Sequence, residues 1–532
     1  MAETKFKPSA ALSKSVHANG GLVSAGIITL ILFQICWVLS GLLFTKMMDE
    51  YQPKYTWALG VVLISAVALT SFQDLIDMKL IPNLYNSMNN DFVTALLETF
   101  ETKRTSPNLG KAVSLFTHLH YNSVELFMNI REYMVPAVIS ICIGICAFFY
   151  IDRTLGMTFG AAVLLFAGLY TAAIYIMKRP GIEMEECRMD QDETTSDMLL
   201  NMHNIFAVNN TKGHLSSFHG DLNRCKQKDE KYFSSVAGAR SLLMVALTIV
   251  FVAPLLVLIK LSRNRAISIG SFAGGLFILA FIREYLFSTI NHIGNMSWYS
   301  SYLIQADKNV EELLASTEVD PLLNYRTEPP ADNTIILKDA NALIKFPDLT
   351  IAPGDRLVLR GPIGSGKSTL LNVLFGKLPY TGSVTIGGIE VRELNITVLR
   401  NYIILVPQTV SLFQNTLYYN ISYGNDSTRE QVQALLDKFN ITFATLDEDM
   451  GRLGERLSGG QRQLVFLLRA LLNTKDFKIV LMDEPTSALD PKTRQIALQI
   501  IEELIGNRTA IIVTHDEALE KIATNVLHLS AA

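Results

Sequence analysis

Charge is scarce in this chain of 532 residues: Asp, Glu, Lys and Arg make up 18% of it, hydrophobic residues 49%, and the mean hydropathy is +0.27. That is apolar for a soluble protein of this length and directs attention to membrane spans. The charge is also balanced, with a net value of −4, so nothing points to nucleic acid as a partner. Cysteine is sparse, with five residues at 36, 142, 146, 187 and 225. Cys142 and Cys146 are four apart in an apolar stretch with no His near them, which is no metal-ligand spacing; packing thiols are expected at all five positions. Internal repeats and low-complexity segments are absent. So is a signal-peptide pattern: the first twenty residues are polar (Glu3, Lys5, Lys7, Lys14), and the apolar run after them is too long for a cleaved leader. Residues 1–20 are therefore expected to be a cytosolic tail. The length exceeds one ordinary domain.

What the chain does have is six long apolar runs. They lie at about Leu22–Thr45, Tyr55–Phe72, Met134–Ile151, Leu155–Met177, Ser241–Ile259 and Ile267–Ile282, the first of them meeting the roughly 20 residues a bilayer requires. Only Asp152-Arg153-Thr154 separates the third from the fourth, which predicts a tight helical hairpin. The second run continues helically toward Leu97, as a helix leaving the membrane for water would. The stretch 178–240 is polar, helical in period and rich in both charge signs. An even number of spans places both flanks on one side, and the Lys and Arg of 178–240 agree with a cytosolic placement; Arg263 and Arg265, predicted outside, do not. Asp320-Pro321 and Glu328-Pro329-Pro330 mark a linker, after which short β-rich runs alternate with helices. The expected organisation is a transmembrane domain over 21–315, a linker over 316–334 and an α/β domain over 335–532. The fold class is an all-α six-helix transmembrane domain followed by an α/β P-loop NTPase domain.

The second half carries the chemistry. Gly361-Pro362-Ile363-Gly364-Ser365-Gly366-Lys367-Ser368-Thr369 has the form G-x-x-x-x-G-K-[ST], after an apolar strand (Arg356 to Arg360) and before a helix (Leu370 onward). That is the setting in which glycines let backbone N–H groups and a helix N-terminus cradle phosphate. The apolar run Ile479 to Met482 ends in Asp483-Glu484, a buried parallel strand delivering two carboxylates. In this chemistry Lys367 neutralises phosphate charge, Ser368 and Asp483 hold Mg²⁺, and Glu484 is the general base toward water. Between them, Leu457-Ser458-Gly459-Gly460-Gln461 opens a second anion-binding helix N-terminus. One nucleotide needs only one cradle. The economical reading is that Ser458-Gly459-Gly460 caps ATP held by another copy.

The order of these motifs resembles the ATPase domain of ABC transporters: the P-loop, Gln408 after the strand Tyr402–Pro407, Leu457 to Gln461, Asp483-Glu484, Ser487 to Asp490, and His515 after the strand Thr509–Thr514. Six spans ahead of it resemble the half-size exporters. The resemblance implies that Gln408 senses Mg²⁺ and the attacking water, that Asp490 contacts the opposite subunit, and that His515 reaches the γ-phosphate. It also implies that 100–108 and 197–210 are the two coupling helices, and that two chains sandwich two ATP molecules. Two features depart from the family. In the stretch Ala340 to Phe346 only Phe346 is aromatic, which leaves the usual stacking on adenine in doubt and predicts weak base selectivity. Arg452 stands in Met450-Gly451-Arg452-Leu453-Gly454 where Glu is usual, opposite an acidic coupling region. The bland reading there is a solvated side chain; the functional one is a cross-contact kept with swapped charge.

Deep in the sixth span, Arg283 and Glu284 read either as a polar lining of the pathway or as interfacial groups paired with Asp74 and Asp77. The function implied is ATP-driven export of an amphipathic or apolar compound (lipid, drug or peptide-like) by a dimer, homo- or heteromeric. It would act in a cell (inner) or organelle membrane, with ATP and Mg²⁺ as cofactors. The alternative is an ATP-gated membrane regulator without pumping, against which Glu484 argues. A soluble ATPase of DNA maintenance is excluded by the spans.

Overall fold

A run of 30 residues with almost no charge has no use for water, and it forms a helix about 45 Å long. The computed structural model describes residues 6–50, 52–101, 109–315, 325–423, 426–473, 477–487 and 489–530. The chain divides into a helical unit and an α/β unit.

The helical unit contains α1 (Pro8–Ala18), α2 (Gly20–Asp49), α3 (Pro53–Glu101), α4 (Leu109–Asn129), α5 (Val135–Ile151), α6 (Arg153–Leu200), α7 (Met202–Ala207), α8 (Thr211–Arg263) and α9 (Ile269–Ala315). Among the described residues, six helices are long and apolar enough to cross a membrane, as the six runs predict. α3, α6, α8 and α9 each exceed 45 residues and therefore extend well past a hydrocarbon core of about 30 Å. Asp152 caps α6 by accepting from the N–H groups of Thr154 and Leu155, which closes the short hairpin with α5. The segment expected to be a tail folds as α1; Ser9 is hydrogen-bonded to Asp307, and Lys14 pairs with Asp91. The polar stretch 178–240 is not one helix, because α7, flanked by Asn201 and Asn210, breaks it.

Helix packing decides the polar pairings. A β-carbon on Gly274 would lie 1.9 Å from Thr45 Oγ1, so α2 and α9 approach as closely as only a small residue allows. One turn of π-helix, Ile130–Met134, joins α4 to α5 and turns Arg131 inward. Arg131 is 2% exposed, and its two terminal nitrogens donate to the two oxygens of Asp77, each at 2.6 Å. The partner of Asp77 is therefore Arg131 and not Arg283 or Glu284, which are exposed; Arg283 lies over the Phe287 ring. Two of the cysteines are also not free packing thiols. Cys187 on α6 and Cys225 on α8 form a disulfide, their Cα atoms 5.6 Å apart, because the two helices run side by side. The other three are free.

The α/β unit begins with β1 (Ile335–Ala342), β2 (Ile344–Lys345), β3 (Leu349–Ile351) and β4 (Arg356–Arg360). α10 (Lys367–Leu374), β5 (Thr381–Ile386), β6 (Ile389–Glu390), α11 (Ile396–Tyr402) and β7 (Ile403–Val406) follow, then α12 (Leu417–Ser422), α13 (Arg429–Lys438) and α14 (Gly459–Leu472). It ends with β8 (Ile479–Asp483), α15 (Pro491–Ile505), β9 (Thr509–Val513), α16 (Glu517–Lys521) and β10 (Asn525–His528). An antiparallel sheet (β1, β2, β3, β5, β6) lies beside a parallel sheet in the order β10-β4-β9-β8-β7. The interior residues of β8 and all of β9 are buried, as strands covered on both faces must be.

Candidate nucleotide site

Parallel strands deliver their C-terminal ends to one edge of a sheet, and this sheet gathers four such ends. β4 leads into Gly361–Gly366, its neighbour β9 into Thr514-His515, the next strand β8 into Asp483-Glu484, and β7 into Pro407-Gln408. Residues more than 100 positions apart in sequence are brought together by strand order alone.

The loop after β4 is shaped for an anion. Gly361, Gly364 and Gly366 all have positive φ (+149°, +85°, +86°), which turns successive N–H groups inward. At Gly361 a β-carbon would fall 2.4 Å from the Leu529 carbonyl oxygen and 2.6 Å from Ser365 Oγ, so no side chain fits there. Ser365 is 2% exposed, and its hydroxyl is buried without a hydrogen-bond partner. Lys367 Nζ donates to the carbonyls of Gly361 (2.7 Å) and Pro362 (2.9 Å), folded across the loop mouth. Ser368 and Thr369 occupy the first turn of α10, while Ile363 is fully exposed at the loop tip. A buried orphan hydroxyl, a cationic amine and inward N–H groups fit a polyphosphate.

Glu484 has φ +49°, an uncommon conformation for a residue with a β-carbon. It is held there by its own N–H, which donates to Val513 O at 2.9 Å, and by its carbonyl, which accepts from the Ser487 hydroxyl at 3.1 Å. The turn brings its carboxylate to 3.6 Å from His515 Nε2. Gln408 and Glu484 line a cavity of about 170 Å³ together with Gly459, Arg462, Gln463 and Ser487; the P-loop does not line it. Ser458 caps α14: its hydroxyl accepts from Gln461 N at 3.2 Å, and Gln461 Oε1 accepts from Ser458 N at 2.9 Å. Asp490 caps α15, accepting from the N–H groups of Lys492 and Thr493; hydrogen bonds from Thr493 hold its carboxyl below the usual range.

Asp516 was missed in the sequence. Burial pushes its carboxyl up, but hydrogen bonds from Arg494, Ala518 N and Thr486 outweigh that and hold it below the usual range. The Arg494–Asp516 pair ties α15 to α16 directly behind His515. The available signal was an Asp ahead of the short helix Glu517–Lys521, which reads as an N-cap. Phe346 lies in the core at 2% exposure and cannot offer a ring face to a base. The residue at the tip of the β1–β2 hairpin is Leu343, 89% exposed with φ +61°, and its neighbour Ile344 packs over Gly366.

A glycine loop, two acids at the end of a parallel strand of the same sheet and a separately capped glycine-rich helix define a P-loop nucleotide-binding domain. It follows, among the described residues, six helices long and apolar enough to cross a membrane. Residues 344–487 match the family model described as ABC transporter. Two similar proteins are named ATP-dependent lipid A-core flippase. One, from Burkholderia orbicola, is 37% identical over 188 residues, 34% of this chain and 31% of that protein. The other, from Neisseria gonorrhoeae, is 34% identical over 273 residues, 48% of this chain and 42% of that protein. The matched part thus spans between about a third and under half the length of these curated relatives. Among solved structures, a bacterial Atm1-family ABC exporter with ATP bound has the same fold, with a TM-score of 0.76 at 19% identity over 98% of this chain and 94% of that one.

Proposed function

We propose that the chain is a half-transporter that uses ATP hydrolysis to export an amphipathic or apolar compound, a lipid foremost, as a dimer alternating between inward- and outward-facing states. The observation that carries this reading is the sheet edge that assembles Lys367, Gln408, Glu484 and His515, fused to six apolar helices. The likeness to lipid flippases supports a lipid cargo.

In this reading the Gly361–Thr369 loop grips the triphosphate, with Lys367 moving from the loop carbonyls onto phosphate. Glu484 takes the proton from the attacking water, and His515, 3.6 Å away, contacts the γ-phosphate. Among the described residues no three His, Cys, Asp or Glu converge as a metal cage. That suits Mg²⁺, which is shared with phosphate oxygens and needs few protein ligands: Ser368, Asp483 and Gln408 would hold it, and it would neutralise charge on the leaving diphosphate. Ser458, Gly459, Gly460 and Gln461 of a second chain, with its Asp490, close the sandwich. The separation of the P-loop from the Gln408–Gly459 cavity supports two cradles serving two nucleotides. In this reading the membrane domain spans 21–315 and the ATPase domain 335–532, the latter on the cytosolic side, where ATP is.

Reconstituted in vesicles with a fluorescent lipid, the chain is expected to move label between leaflets only with ATP and Mg²⁺. Movement that is ATP-gated but never exceeds passive equilibration would refute pumping. With Leu343 in place of an aromatic ring, base selectivity is expected to be weak, with ATP and GTP bound within about threefold of each other. Leu343→Tyr is expected to tighten ATP binding by about 1 kcal/mol, roughly fivefold, in nucleotide competition. An unchanged affinity would place the base elsewhere.

A further inference from the structure

A cavity of about 680 Å³ lies among α4, α6, α8 and α9. Most of its charges are already matched. Arg188 donates to both oxygens of Asp229, each at 3.2 Å; His118 stands 3.5 Å from Asp192; Lys226 stands 3.7 Å from Glu230. Glu185 is different. It is 4% exposed, and its Oε1 is buried with no hydrogen-bond partner. Tyr302, which lines the same cavity and is 2% exposed, has a buried hydroxyl that is also without a partner. Two orphaned oxygens on one cavity are a debt that folding alone does not settle, since buried polar groups are normally bonded.

The missing partner must donate a hydrogen bond to the carboxylate oxygen, can accept from or donate to the phenol hydroxyl, and must tolerate aromatic walls. An anion fails on charge. A hard dication requires several oxygens, and among the described residues no cluster of three acids or His exists. An ammonium group meets every condition, and the wall already accepts a cation, with the Arg188 guanidinium 4.5 Å from the Trp298 ring centre. We propose that this cavity binds a small organic ammonium whose N–H groups donate to Glu185 Oε1 and to the Tyr302 oxygen. The site lies about 12 Å beyond the end of the fourth apolar run, outside the hydrocarbon, and it is independent of which compound is exported.

The site carries its own signature. Burial, above all, pushes the Glu185 carboxyl up to about 7, with Asp229 adding and Arg188, Trp298 and His118 opposing. Tyr232 and Tyr302, from α8 and α9, also face it, and Tyr121 of α4, Asp192 of α6 and Lys226 of α8 line the same cavity. A bound ammonium favours the carboxylate. Below the raised pKa, binding therefore expels a proton, and above it no proton is left to expel.

The test is calorimetric titration of the full chain in lipid nanodiscs with n-butylammonium chloride, against n-pentanol and matched KCl. At about pH 6.5 the heat is expected to differ between phosphate and PIPES, two anionic buffers of different ionisation enthalpy, in proportion to a fraction of one proton released per site, and the difference should vanish above about pH 8. Glu185→Gln is expected to weaken butylammonium at least about tenfold and to erase the buffer dependence. Equal heats for butylammonium and pentanol, or unchanged butylammonium affinity in Glu185→Gln, would overturn the assignment. Should that variant lose its basal ATPase through misfolding, Tyr302→Phe decides: weakening of about threefold supports the site, and full affinity refutes it.

Discussion

Glu484→Gln is expected to slow ATP turnover by about 10²–10⁴-fold while leaving ATP affinity within a few-fold of the native chain. The substitution is nearly isosteric, and the φ of +49° is imposed by the backbone bonds to Val513 and Ser487, which an amide side chain leaves intact. What disappears is the ability to accept a proton from water at a point 3.6 Å from His515. Bound ATP should accumulate, and with it the closed dimer, detectable by cross-linking or particle size. Lys367→Ala should fail in the opposite way, losing ATP affinity because the amine that reaches across the Gly361 and Pro362 carbonyls is the loop's positive charge. Turnover in Glu484→Gln within about threefold of native would remove Glu484 from the role of base.

Mixing two dead chains is expected to restore activity. Lys367→Ala damages the P-loop, and Ser458→Arg fills the glycine-rich helix N-terminus. The second substitution removes one capping box at a cost of about 1 kcal/mol, but the apolar face of α14 stays buried in the core and keeps the helix folded. Each homodimer then has two faulty sites. If sites are shared between chains, a mixed dimer has one site with both faults and one with neither. Random pairing of equal amounts makes half the dimers mixed, so about a quarter of native turnover should return. Activity no greater than that of the separate chains would mean that each site is completed within one chain.

The candidate nucleotide site was legible because its motifs are local. A nine-residue loop, two acids ending an apolar strand and a serine before two glycines each announce their own backbone geometry, and parallel strand order does the assembly. Arg131–Asp77, Arg494–Asp516 and Glu185–Tyr302 were not legible. The two members of each stand 54, 22 and 117 positions apart, and no period or spacing links them. Cys187 and Cys225 looked like packing thiols for the same reason. Thirty-eight residues and the break at α7 separate them, and only the pairing of α6 with α8 brings the sulfurs together.

By itself, then, the amino-acid sequence determined the six apolar helices, the order of the nucleotide motifs and the strands that present them, because hydrophobic period and glycine-rich turns act within a few residues. Only the tertiary structure decided which charges are matched, that Phe346 belongs to the core while Leu343 faces water, and that Glu185 is left with an unanswered oxygen. Those outcomes depend on the register in which long helices and sheets pack, a property of the whole chain and of no segment in it.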